Sequence, residues 1–529
     1  ASNYLAAVAV GRDDAAELAG AAWVDVSTGR FYAAAFPADR LADELTRIGP
    51  AECLVAESAA GSGAGPDAES GATLAHALGL HAGPESGASI TTRPAWAFGQ
   101  QAAEVALAKR FGTRSLEGFG FDPEDPGHAL AVSAAGAVLD YLEETQRASL
   151  AHVQTLTLVE PAGCLQIDAA TWRSLEVTQT LRDGRRDGAL LGVMDRTVTP
   201  MGARLLAEWL RRPLTDVAAI DARLDAVEEL VGDAPLAAGL RESLRAVYDL
   251  QRLLARVTTG RAGPRDLSFV CRTLAGLPKV KARLTGRASD RLRQIEGRID
   301  LCPDVRGRLE AALADECPLA AGVGGFIRPG FSAELDACRE LSAGGKQWMA
   351  RYQAAEQERT GIPSIKVGFN KVFGYYLEVT HAHRDKAPPE YTRKQTLKNA
   401  ERYITPELKE HEERVLGAEE QALRIEQEAF AVLRELVAGA GGRLLATAEA
   451  LAELDTLAGL AELARSRNYC RPRVVEHPTL DIAAGRHPVL DVTEPDGSFV
   501  PNECQVGCAG DEERGVGGEE HAVEPSSPP

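Results

Sequence analysis

The period of the apolar residues changes within one stretch of this chain, and few folds accommodate the change. In "IKVGFNKVFGYYLEV", Ile365, Val367 and Phe369 alternate with polar or small residues, and Phe373, Tyr375, Leu377 and Val379 resume the alternation after Asn370-Lys371. A period of two predicts a sheet with one covered face. Further on, Val415, Ala418, Ala422, Ile425, Ala429, Val432 and Leu436 recur at spacings of three and four, with Glu and Arg between them. That predicts one long helix with a narrow seam. Its start is marked by Thr405 as N-cap, Pro406 at the first helical position and Glu407 in the first turn. "GKQWMARYQAAEQERTG", just before the sheet, is helical as well. The seam suits antiparallel pairing with a helix over about 333–360, and a stalk carrying a small sheet at its tip follows.

Charge singles out the same place. The chain has a formal net charge of -19, yet just before Pro406 it sets Arg393, Lys394, Lys398 and Arg402 against Glu401 alone. Over Pro363 to Arg402 the cations are Lys366, Lys371, Arg384, Lys386, Arg393, Lys394, Lys398 and Arg402, and the anions Glu378, Asp385, Glu390 and Glu401. At the end of a stalk, a distant acidic body lies beyond the screening length of about 8 Å. The surplus should therefore face an anionic partner. Gln395, Thr396, Asn399 and Tyr403 add donors for phosphate oxygens, and no stripe of aromatics offers a stacking platform, so duplex backbone fits better than single strand. The competing reading is that the cations solvate a loop or pair with Glu378, Glu390 and Glu401.

The remainder bounds the architecture. With 529 residues, 45% hydrophobic and 26% charged, the chain is long enough for several cores. "AAWVDVSTGRFYAAAF" reads as a hairpin about Ser27-Thr28-Gly29, followed by a helix in "ADRLADELTRIG" and a strand in "AECLVAES", the makings of a small α/β unit. Residues 60–72 are Gly/Ser-rich and read as a loop. From His128 to Ser342 the pattern is mainly helical; "LQIDAATWRSLEV" starts as a strand and ends as a helix. Another helix opens near Pro200 and closes before Pro213, with Leu205, Leu206, Trp209 and Leu210 on a packing face. No apolar run is long enough to span a membrane and the start carries no signal-peptide pattern. Nine scattered cysteines suit reduced thiols, which together point to the cytoplasm. Cys504 with Cys508, and His381 with His383, lack the further ligands a metal site needs. Asp25 alone does not make a two-metal nuclease, and His487 reads as a turn residue.

Four stretches, "SIKVGFNKVFGYYLEVTHAH", "YTRKQTLKNAERYITPELKEHEERVLGAEEQAL", "GALLGVMDRTVTPMGARLLAEWLRRPL" and "GRHPVLD" followed by "FVPNECQVG", resemble the MutS family of DNA mismatch repair proteins, in that family's order up to about Gly507. The resemblance implies a multidomain α+β chain, predominantly helical. It would comprise an α/β, ribonuclease H-like connector (1–125), a helical core and first lever part (126–362), an antiparallel-sheet clamp (363–404), returning lever helices (405–465), the start of a P-loop ATPase domain (466–507) and a disordered tail (508–529). It implies duplex contacts from Lys398 and Asn399 first, with Arg393, Lys394 and Arg402 beside them. It also implies ATP and magnesium as cofactors of the intact family, a homodimer, a MutL-type repair partner and a cytoplasmic, nucleoid-associated location.

Two departures qualify this. No Phe is followed two positions later by Glu, the motif with which the family wedges a mispaired base; Phe31 in "GRFYAA" reads as a core strand residue. Nor does a Gly-rich loop ending in Gly-Lys-Ser/Thr occur; "SAGGKQW" about Lys346 lacks both flanks. The expectation is a truncated chain without mismatch reading or ATP hydrolysis of its own, no tightly bound cofactor, and weak or absent dimerisation. A non-enzymatic helical scaffold for a protein partner is the rival reading.

Overall fold

The computed structural model describes residues 3–13, 16–57, 89–145, 150, 152–160, 163–370, 374–495 and 498–507. The 60–72 stretch, Lys371, Phe373 and the 508–529 tail with Cys508 lie outside the described residues.

The N-terminal unit is a six-stranded sheet in the order β5-β4-β1-β2-β3-β6. Its strands are β1 (Tyr4–Asp13), β2 (Ala16–Asp25), β3 (Arg30–Pro37), β4 (Glu52–Ala56), β5 (Ser89–Arg93) and β6 (Leu156–Leu158). The first three form an antiparallel meander, while β4, β5 and β6 join in parallel. At the β2–β3 turn the Asp25 carboxylate accepts from the Ser27 N–H (2.9 Å) and hydroxyl (2.7 Å), and Gly29 takes φ 77°. Asp25 is thereby a turn group, and the left-handed backbone explains the glycine. Helix α1 (Leu41–Ile48) covers one face of the sheet; α2 (Gln100–Phe111) and α3 (Pro126–Thr145) cover the other, where Phe31 is buried. A Cβ on Gly20 would fall inside the α3 backbone at Leu130–Ala131, so this glycine lets the helix lie directly on the strand.

The larger core is helical: α4 (Pro200–Arg211), α5 (Val217–Gly232), α6 (Ala234–Arg245), α7 (Leu250–Thr258), α8 (Pro264–Leu284), α9 (Asp290–Arg298) and α10 (Pro303–Ala312). Thr199, Asp216, Asp233, Asp249 and Ser289 each accept a first-turn N–H as N-caps, which is why these helices begin where they do. Their apolar faces share one cluster with α13 (Gly441–Arg467). On α13, fully buried Asp455 accepts from the N–H groups of Val198 (2.9 Å) and Thr199 (2.7 Å) and from the Thr199 hydroxyl (2.6 Å). Burial pushes the Asp455 carboxyl above the usual carboxylate range, against those donors. The strand expected at Leu165 is not formed; Cys164 makes one bridge to Leu214, and Asp168 caps a short helix, Ala169–Ser174, by accepting from Ala170 and Thr171. Capping chemistry won over the apolar alternation there.

The sheet and the helical core touch. Arg30 pairs with Glu208 at 2.8 Å, Tyr32 donates to the same carboxylate at 3.2 Å, and the Arg212 guanidinium lies 4.6 Å from the Trp23 ring centre.

Two long helices, α11 (Ala333–Thr360) and α12 (Pro406–Gly439), leave this core side by side. Tyr352 meets Thr405 (2.6 Å), Trp348 stacks on His411 (3.6 Å), Ser342 donates to Glu419 (2.9 Å) and Arg339 pairs with Glu426. Residue numbers fall on one helix as they rise on the other, so the pair is antiparallel. The Gly344-Gly345-Lys346 segment sits within α11, not in a phosphate-binding loop.

The seam differs from the strict repeat read in the sequence. Leu408, His411, Val415 and Ala418 are buried, but the line then advances by fours through Ala422 and Glu426 to Phe430, and continues at Leu433 and Val437. Val432 is 57% exposed. A straight helix has 3.6 residues per turn, so its buried stripe drifts once α12 leaves α11 and enters the core, where Phe430 packs edge-on against Phe326 at 5.8 Å.

After α13, β11 (Leu480–Gly485) and β12 (Asn502–Val506) make a two-stranded antiparallel sheet with both faces largely exposed. His487 accepts from the Leu490 N–H at 3.3 Å and shapes a turn.

Candidate nucleic-acid interface

Between α11 and α12 the chain forms a four-stranded antiparallel sheet, β7 (Lys366–Asn370), β8 (Gly374–Thr380), β9 (Thr392–Thr396) and β10 (Ala400–Ile404), in the order β7-β8-β10-β9. Ile365, Leu377, Val379 and Tyr403 are buried with Tyr352, Ile362, Tyr391 and Leu408, so one face sits on the ends of the long helices. The opposite face carries a row across all four strands: Lys366 faces Glu378, Glu378 faces Arg402, and Arg402 faces Gln395.

That row commits Arg402. Its guanidinium donates to Glu378 (3.2 Å) and Gln395 (2.9 Å) and lies 4.3 Å from the Tyr376 ring centre, leaving the side chain 18% exposed. Gly368, opposite Tyr376, has no Cβ to strike that ring. Arg402 therefore holds strands together, and of the five residues singled out in the sequence it is the least accessible.

Glu401 points to the other face and is 2% exposed. Its carboxylate accepts from the Tyr403 hydroxyl and lies 3.4 Å from Arg393 and 3.7 Å from Arg384. The Tyr403 hydrogen bond, with Arg384 and Arg393 behind it, holds Glu401 below the usual carboxylate range. Part of the basic island thus serves this acid. Arg393 keeps its outer half in solvent, with its side chain 55% exposed.

Lys394 stands apart because of a register shift. Arg402 pairs with Gln395 and Tyr403 with Arg393, so Lys394 is the extra residue of a bulge and points into solvent. At the tip of the β9–β10 hairpin, the Leu397 N–H bonds the Ala400 carbonyl at 2.8 Å and leaves Lys398 and Asn399 as exposed turn residues. His381 fixes this tip: its N–H donates to the Asn399 carbonyl (3.2 Å) and its ring meets the Leu397 carbonyl (2.9 Å). Lys366, Lys386, Lys394 and Lys398 are all exposed and carry no ion pair with a described residue. Of these, Lys366 and Lys386 were only counted in the sequence; Lys366 lies on β7 and Lys386 at the end of a 3-10 turn, His381–Lys386, on the β8–β9 connection. Among the described residues no cluster of His, Cys, Asp or Glu could hold a metal ion, His381 and His383 included.

The arrangement has a division of labour: arginines fix the sheet, lysines face water. Comparison with protein families bears on what such a sheet serves. A model of MutS domain III matches residues 170–461, more than half of the chain, and one of MutS domain II matches residues 3–154. The chain belongs to the MutS family. A DNA mismatch repair protein MutS of Rhodopirellula baltica is 52% identical over 488 residues, covering 92% of this chain and 52% of the relative. MutS proteins of Salinibacter ruber and Symbiobacterium thermophilum are 43% and 44% identical, covering 95% and 96% of this chain and 53% and 56% of theirs. This chain spans about half the length of the curated MutS relatives it matches. Its helix-rich α+β build agrees with MutS domains II and III.

Proposed function

We propose that this chain contributes the duplex-gripping part of a MutS-type DNA mismatch repair protein. The long helices act as a lever and the four-stranded sheet as a clamp on the DNA backbone. The observation that carries the proposal is the set of four exposed lysines without an ion pair to a described residue, Lys366 and Lys394 on the sheet, Lys398 at a hairpin tip and Lys386 on the β8–β9 connection, at the end of a helix pair in a chain of net charge -19. Lysine ammonium groups of this kind contact phosphates as point charges; they set position without reading sequence. Lys394 and Lys398, with Asn399 between strands at the tip and Arg393 at its margin, make the contact; Arg402 braces it.

The connector and core, the homodimer and the MutL-type partner belong to the same reading, as does a cytoplasmic, nucleoid-associated location. Among the described residues no helix is long and apolar enough to cross a membrane. The ATP and magnesium of the family have no Gly-Lys-Ser/Thr loop to occupy within these 529 residues, and no step of the proposal passes through them.

Fluorescence anisotropy of a labelled duplex over a salt series tests the proposal. Each phosphate neutralised contributes about -0.9 to the slope of log K against log salt, so Lys394→Ala with Lys398→Ala should make the slope less negative by about 1.8. Equal slopes for the two proteins would sink the assignment and favour a scaffold that binds protein.

A further inference from the structure

We propose that the junction between the N-terminal sheet and the helical core contains a binding site for a small phosphate-bearing anion. A cavity of about 230 Å³ lies there, where β3, α4, α5, α9 and α13 meet. Arg30, Arg223, Arg291 and Arg298 line it against two carboxylates, Glu449 and Glu453. No neutral or cationic ligand would call for four guanidinium groups at one small opening.

Three of the four are held in place by acids. Arg30 pairs with Glu208, just outside the cavity, at 2.8 Å. Arg291 pairs with Glu453, and Arg298 reaches Glu453 at 3.1 Å and Glu449 at 3.5 Å. Even with Glu208 counted among the acids, one positive charge remains, and it belongs to Arg223. That side chain has no hydrogen bond or ion pair with a described residue; its guanidinium centre stacks 3.6 Å from the Trp209 ring centre. Stacking occupies the face of the guanidinium and leaves its N–H donors directed outward in the plane, the geometry suited to two oxygens of a phosphate.

Size narrows the ligand. The cavity is below the usual 300–1,000 Å³ range of drug-sized sites. Orthophosphate or diphosphate fits within it, whereas a nucleotide would enter by its phosphate end and leave its nucleoside at the mouth. An anion here would bridge β3 of the sheet to α5 and α9 of the core, and so would stiffen the joint between the two units.

Isothermal titration of the whole chain with diphosphate and, separately, with a nucleoside diphosphate, at constant ionic strength set by chloride, tests this. Binding of diphosphate is expected, with at least a tenfold loss in Arg223→Gln and a several-fold gain in Glu449→Gln. The gain is informative because misfolding does not tighten binding, and unchanged circular dichroism guards the Arg223 variant. Equal affinity for the two ligands assigns recognition to the phosphates alone; tighter binding of the nucleotide adds a contact at the mouth. Absence of heat with both ligands, or affinities indifferent to both substitutions, would overturn the site.

Discussion

Glu426 lies where the α11–α12 pair enters the helical core, and its removal has a calculable local cost. The carboxylate is 3% exposed and accepts from the N–H groups of Gly325 (2.7 Å) and Phe326 (3.4 Å) while pairing with Arg339. Glu426→Ala leaves both N–H groups without an acceptor. A hydrogen bond to a charged group contributes about 1.5–3 kcal/mol, and the longer Phe326 bond falls below that. Arg339 keeps the Ile327 carbonyl at 2.9 Å and is partly solvated, so its share is discounted. The total is about 2–3 kcal/mol. A chain with several cores has no single unfolding free energy, so the readout should be local. Hydrogen exchange by mass spectrometry at residues 324–326 should accelerate about 30- to 150-fold, from 1.36 kcal/mol per tenfold. Glu426→Gln retains one acceptor and should accelerate exchange by less than about tenfold. Unchanged exchange at 324–326 in the Ala variant, or an equal rise in peptides of the N-terminal sheet, would refute the assignment of this carboxylate as the tie between loop and helix.

Two further outcomes follow from buried contacts. Burial raises the Asp455 pKa in the folded state above its unfolded value of about 3.9, so its stabilising effect is complete below that value and is lost as pH rises through the higher folded value. Asp455→Asn does not titrate, so its Tm relative to the parent should climb as pH increases from about 4; a difference that stays flat or shrinks would show that the Thr199 and Val198 donors outweigh burial. Gly20→Ala forces a Cβ into the α3 backbone and should cost about 1–3 kcal/mol, read as a lower Tm for the N-terminal unit by circular dichroism; an unchanged Tm would mean that helix and strand do not touch there.

What could be read from the sequence depended on whether a local rule governed. The Ser27–Gly29 turn and the Thr405-Pro406 helix start are legible because each is decided by its own residues: a carboxylate beside a serine, a glycine at positive φ, an N-cap accepting from Leu408. The sheet over β7 and β8 is legible because one face is covered, which enforces the period of two. The seam of α12 was misjudged at Val432, because a seven-residue repeat assumes one partner throughout and this helix changes partners along its length. A charge count could mark the basic island but could not sort it. Cross-strand register places Arg402 beside Glu378 and Gln395, and the bulge turns Lys394 outward; neither is encoded within a few residues. The cavity at the junction was invisible for the same reason, since Arg30 and Arg298 lie far apart in the sequence and meet only through packing.

The contact between Tyr352 and Thr405 has a consequence for how this molecule can change over time. Everything from residue 353 to 404 departs from and returns to one point, so to the rest of the chain that excursion is equivalent to a hairpin bend. Its sequence and length can vary without altering which surfaces of α11 and α12 meet, provided that the apolar cover over Tyr352 and Leu408 is kept. A partner-specific grip can therefore be exchanged by natural or laboratory recombination at a single seam, with the helices beneath it inherited intact.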